Sequence, residues 1–94
     1  MSSLKPYNLL RHELIGLYVW IIESDNPRHI GIKGKIVDET KQTLIISQEE
    51  RDKVIAKKGT IFKVWLPERT IVGVNGKYLI GRPEDRVKKR RRLW

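Results

Sequence analysis

Apolar and polar residues along this chain change rhythm twice. Between residues 7 and 15 the apolar positions Tyr7, Leu10 and Leu14 fall at i, i+3 and i+7, one stripe of a short helix that Gly16 is placed to end. A helix of about nine residues is not stable alone, so it must pack on the body of the domain or on a partner. From Leu17 onward the period shortens to two. Leu17 to Glu23 reads as a strand closed by the turn-forming Ser24-Asp25-Asn26-Pro27. Ile30 to Thr40 is the next, with Ile32, Gly34 and Ile36 on one face and Lys33 and Lys35 on the other. Gly34 inside that run marks a bend or a close backbone approach.

Five further runs follow. Lys41-Gln42 leads into Thr43 to Ser47, and the charged stretch Gln48 to Asp52 separates it from Lys53 to Lys57. Lys58-Gly59 predicts a hairpin returning through Thr60 to Leu66. Thr70 to Val74 and Lys77 to Ile80 are joined by Asn75-Gly76, the strongest two-residue hairpin signal a sequence can carry. Seven short strand segments, some of them halves of one bent strand, predict a mostly β fold: a small antiparallel barrel of SH3 or Sm type whose closure removes exposed sheet edge. Trp20 and Trp65 lie within strand runs and read as core, since a small barrel needs large apolar residues to fill it.

After Gly81 the rhythm is helical again. Pro83 suits a first helical turn, Glu84 and Asp85 its positive end, and the following cations its negative end. The pattern therefore divides a single domain into residues 1–16, an extension with a short helix; 17–81, the barrel; and 82–94, a basic helix or tail. At 94 residues there is room for only one modest core.

Composition sharpens this picture. Twenty Lys and Arg against eleven Asp and Glu give +9, a balance that seeks polyanions, nucleic acid before acidic membranes. Residues 82–94 hold seven basic and two acidic groups, so +5 of that +9 lies in the last thirteen positions. Five of the seven are arginine, which favours bidentate phosphate contact and stacking on bases. The candidate RNA-binding residues are Arg82, Arg86, Lys88, Lys89, Arg90, Arg91 and Arg92, with a second patch at Arg28, Lys33 and Lys35. Both patches also read as solvated surface, and high charge content also suits a heat-stable protein.

The inventory for catalysis is poor. His12 and His29 have no companion at i+4, Asp38 and Glu39 are strand neighbours pointing to opposite faces, and no phosphate loop, nucleophile elbow or zinc pattern is present. We expect no catalytic or metal-binding residue and no cofactor on this chain. The absence of cysteine and of any apolar run approaching the roughly 20 residues that span a bilayer implies a soluble, cytoplasmic protein without membrane contact.

Four stretches carry a family likeness: His12 to Leu17, Gly31 to Thr40, Thr43-Leu44, and Gly81-Arg82-Pro83-Glu84-Asp85-Arg86 followed by Lys-Lys-Arg. In this order and spacing they resemble archaeal ribonuclease P protein component 1, related to a eukaryotic subunit shared by ribonuclease P and ribonuclease MRP. The resemblance implies an Sm-like barrel with terminal helices that binds ribonuclease P RNA. That RNA removes 5′ leaders from precursor tRNA with magnesium ions held by the RNA itself, so precursor tRNA would be met indirectly. It further implies a zinc-ribbon protein partner met through the N-terminal helix and an adjacent strand, making Tyr7, Leu10 and Leu14 candidate partner contacts. Intramolecular packing is the other reading of those three. The arginine-glycine signature of ring-forming Sm proteins is missing, which implies a monomer used singly within a larger particle. A second reading is a ribosomal SH3-like protein, because Lys33-Gly34-Lys35-Ile36-Val37 also resembles the KOW motif.

Overall fold

A computed structural model of the chain describes residues 14–67 and 69–81. Tyr7 and Leu10, the predicted first helix up to residue 13, and the whole predicted C-terminal element lie outside those residues. Six antiparallel strands form one sheet: β1 (Tyr18–Ser24), β2 (Lys33–Glu39), β3 (Thr43–Gln48), β4 (Arg51–Ala56), β5 (Thr60–Trp65) and β6 (Ile71–Asn75). Their order is β4-β3-β2-β1-β5-β6. The mostly β, Sm- or SH3-like class read from the sequence holds. The predicted closure does not, because among the described residues no ladder joins β4 to β6 and both remain sheet edges.

Period-2 burial fills the concave side. Val19 and Ile21 of β1, Ile36 of β2, Leu44 and Ile46 of β3, Ile55 of β4, Phe62 and Val64 of β5, and Val72 and Val74 of β6 are all buried in one core. Two irregularities curl the sheet around it. A bulge between Ile36 and Asp38 resets the register of β2 on β3, and another between Ile21 and Glu23 resets β1 on β5. Gly34 adds a close approach to these bulges: a Cβ there would overlap the carbonyl oxygen of Ser47, so only glycine lets β2 approach β3 this closely.

The turns diverge from expectation in instructive ways. Leu14 to Leu17 is a tight turn, with Leu17 N–H donating to Leu14 O at 3.1 Å, so the helix expected through Ile15 is absent from its last two positions. Ile30 to Ile32 is irregular rather than strand and follows a 3-10 turn at Pro27–His29, capped by Asn26, whose side chain accepts from Arg28 N–H. The stretch read as a charged separator is itself a hairpin: Gln48 pairs with Arg51 across Glu49-Glu50, both at positive φ (50° and 66°). Gly59 has the expected positive φ, but Lys58-Gly59 makes a corner instead of a hairpin, because β5 pairs with β1 and not with β4.

The Asn75-Gly76 hairpin is overturned. Gly76–Leu79 is a second 3-10 turn, and the Asn75 side chain caps it by accepting from Lys77 N–H at 3.1 Å. Gly76 is required for a different reason from the one the dipeptide suggests: a Cβ there would overlap the carbonyl oxygen of Lys57 at the end of β4. Leu79, buried at the end of this turn, completes the core that a seventh strand was expected to cover.

One ionic group lies inside. The Lys57 ammonium is fully buried, 2.7 Å from Glu39 Oε2, and also donates to the carbonyls of Thr40 (2.7 Å), Lys41 (3.3 Å) and Gly81 (2.9 Å). Gly81 N–H donates back to Lys41 O at 2.8 Å. The end of β2, the β2–β3 loop, the end of β4 and the point where residues 82–94 begin are thereby tied at one place.

Candidate nucleic-acid interface

Alternation that buries Ile32, Gly34 and Ile36 sends Lys33 and Lys35 outward, as the spacing requires, and both are exposed. What lies beside them is set by register. Trp20 of β1 pairs with Lys33 on one side and Lys63 on the other; Tyr18 pairs with Lys35 and with Trp65. The outer face of β2-β1-β5 therefore carries two parallel rows, Lys33–Trp20–Lys63 and Lys35–Tyr18–Trp65.

Within these rows the side chains touch. The Lys33 and Lys63 ammonium groups sit 5.4 and 5.5 Å from the Trp20 ring centroid, one from each flanking strand. Trp65 and Tyr18 meet in a T-shaped contact at 5.6 Å, and Trp65 stacks on Trp20 at 6.5 Å with 30° between planes. Tyr18 is the most open of the three rings, at 43% exposure. A cavity of about 380 Å³ opens beside it, lined by Tyr18, Lys33, Lys35, Ser47, Gln48 and Glu49 around the glycine at 34.

Trp20 and Trp65 are thus half-buried on the outer face and not in the core, correcting the sequence reading. The signal was present. Trp65 shares parity with Lys63, and Trp20 with Tyr18, while the intervening Phe62, Val64, Val19 and Ile21 take the inward positions. Lys63 was missed for the same reason. Arg28 is exposed in the first 3-10 turn, beyond the start of β2; among the described residues it forms no ion pair, and neither do Lys33 and Lys35.

Leu14 does not stand where a partner could reach it. It is 1% exposed and belongs to the core, so intramolecular packing holds for that residue. An apolar row does lie outward on the other half of the sheet: Val37 at the β2 bulge (41% exposed), Ile45, and Val54 opposite it on the edge strand (61% exposed). Among the described residues no group of three or more His, Cys, Asp or Glu side chains converges as a metal site, and no helix is long and apolar enough to cross a membrane.

The family model described as Ribonuclease P/MRP, subunit p29 matches residues 7–89. The ribonuclease P protein component 1 of Methanocaldococcus jannaschii is 49% identical over 85 residues, 90% of each chain. That of Thermofilum pendens is 42% identical over 93 residues, 98% of this chain and 99% of its own. The solved structure of Mth11, described as a homologue of human RNase P protein Rpp29, superposes with a TM-score of 0.59 at 39% identity, covering 79% of this chain and 96% of that one. Nothing among these relatives supports a ribosomal protein. With a matching model over nearly its whole length, relatives sharing more than two-fifths of their residues, and a superposable fold, the chain belongs to the ribonuclease P/MRP subunit p29 family.

Proposed function

We propose that this chain is a non-catalytic, RNA-binding subunit of ribonuclease P that braces the catalytic RNA while that RNA removes 5′ leaders from precursor tRNA. The observation that carries the reading is the family match over residues 7–89. The outward lysines give it a surface: Lys33 and Lys35 stand free of ion pairs among the described residues, next to Lys63, on a face without an intervening acid in either row. Arg28, Arg82, Arg86 and the run Lys88 to Arg92 supply further cations by sequence. Their role is to neutralise phosphate, the sequence-independent part of RNA affinity. Magnesium belongs, in this reading, to the RNA and not to this chain.

The protein partner is the zinc-ribbon subunit of the same particle, reached through Tyr7 and Leu10. The outward row of exposed Val37 and Val54 with half-buried Ile45 between them supports an adjacent strand surface for that contact, since open apolar side chains on neighbouring strands suit a protein interface. Isolating the tagged protein from its own cells and sequencing the bound RNA tests the assignment. Ribonuclease P RNA should dominate; ribosomal RNA as the dominant species rejects it. Reconstituted cleavage of precursor tRNA should fall when this chain is omitted, while the chain with magnesium and no other RNA should give none.

A further inference from the structure

We infer that the outer face of β1 and β5 is a stacking site for an unpaired stretch of RNA, with Tyr18 and Trp65 as base platforms and Lys33, Lys35 and Lys63 as phosphate contacts. This rests on the RNA-binding reading above and adds a site and a class of ligand to it.

Phosphate neutralisation alone needs lysines; it gives no reason for three large aromatic rings among them. The two rows interleave cations and rings at strand spacing, Lys33–Trp20–Lys63 beside Lys35–Tyr18–Trp65. This is the chemistry that holds a single strand, because every base has a π face and every linkage a charge. In an A-form duplex the base faces are hidden within the stack, and the rings would find nothing to bind.

The geometry distinguishes the roles. Trp20 is already engaged by two ammonium groups and by Trp65, so it serves as the floor that holds Trp65 upright. Tyr18, the most exposed ring, borders the open cavity of about 380 Å³, which is large enough to admit a base. Ser47 and Gln48 line it with groups that can donate and accept hydrogen bonds, and its single carboxylate, Glu49, suits the amino edge of a base and not a phosphate.

The test uses the full chain carrying Trp94→Phe, so that fluorescence reports on Trp20 and Trp65. A short oligoadenylate should quench it and bind more tightly than an RNA duplex of the same length at the same salt. Tyr18→Ala and Trp65→Ala should each weaken the single strand by about fivefold or more, the lower end for one stacked base, and leave the duplex unchanged. Tyr18→Phe and Trp65→Phe should retain affinity. Thermal melts accompany each variant, and Tyr18→Ala, at the more exposed ring, carries the test if Trp65→Ala fails to fold. Unchanged single-strand affinity in the alanine variants, or an equal loss for duplex, overturns the stacking site.

Lys33→Glu with Lys35→Glu should weaken both RNAs. Failure there counts against these lysines as RNA contacts, whereas failure of the aromatic variants alone sinks only the stacking site. In the reconstituted holoenzyme, ultraviolet crosslinks from this face should map to unpaired nucleotides of either the catalytic RNA or the precursor tRNA, which identifies the source. Crosslinks to protein alone overturn the proposal.

Discussion

At the scale of the residue, Lys57 is where burial and charge are in sharpest conflict. Its ammonium has left water entirely, and one carboxylate and three carbonyls surround it. Removing one partner of such a buried pair costs about 3–5 kcal/mol, because the other charge loses its counter-ion in a place that water does not reach. Lys57→Met should therefore lower unfolding free energy by that amount in urea melts. Adding Glu39→Leu removes the carboxylate that has lost its counter-ion but not the Thr40 carbonyl that has lost the ammonium's hydrogen bond, so the double variant should recover only part of the loss. Full recovery would mean the carbonyl bonds contribute nothing. None of this was legible in the sequence. Lys57 reads as one more lysine ending a strand run, and its carboxylate partner is eighteen residues away, so its burial follows from topology and not from local pattern.

At the scale of the element, the period-2 signal located the strands well and the turn signals located their connections poorly. Parity placed Lys33 and Lys35 outward and Ile36 inward correctly, because alternation is a property of each strand by itself. Which strand pairs with which is not. Asn75-Gly76 has the residues of a hairpin turn, yet Asn75 caps a 3-10 turn and Gly76 serves a close approach to Lys57 O. Asn75→Ala should cost about 0.5–2 kcal/mol, the usual range for a lost cap, measured by thermal or chemical melts. Conversely, Glu49-Glu50 makes a tight hairpin with neither residue suited to positive φ. Replacing them with Asn-Gly should stabilise the fold by about 1 kcal/mol, since the left-handed conformation costs an ordinary residue roughly 1–2 kcal/mol and glycine almost nothing. The glycines of β2 and β6 give a matched pair. Gly34→Ala drives a Cβ into Ser47 O and should cost about 1–3 kcal/mol, whereas Gly73→Ala meets nothing within 4 Å and should be neutral or slightly stabilising. Trp20 and Trp65 were misplaced because size argued for the core, while parity with Tyr18 and Lys63, the weaker-looking evidence, was the better guide.

At the scale of the whole molecule, the candidate RNA-binding cations form two groups along the sequence, Arg28, Lys33, Lys35 and Lys63 within the described fold and the run from Arg82 onward beyond it. Lys33 opens β2 and Glu39 closes it, so at about 3.3 Å per step Lys33 lies at most some 20 Å, and Lys35 at most some 13 Å, along the strand from the Glu39–Lys57 tie. Gly81 is fixed at that tie, and the basic residues from Arg82 onward begin from it. Where the two groups meet different phosphates, their contributions to affinity should add. The slope of log affinity for ribonuclease P RNA against log salt measures this, each phosphate contact adding about 0.7–0.9 to its steepness. Truncation after residue 85 removes six cations; if about five of them meet phosphates, the slope should become shallower by about 4. Lys33→Ala with Lys35→Ala should flatten it by about 1.5, and the combined variant by nearly the sum of the two. A slope unmoved by truncation would take the tail off the RNA and leave the strand face as the binding surface. A combined effect no larger than truncation alone would mean that the strand lysines add no phosphate contact, so that the tail alone carries the electrostatic part of RNA affinity.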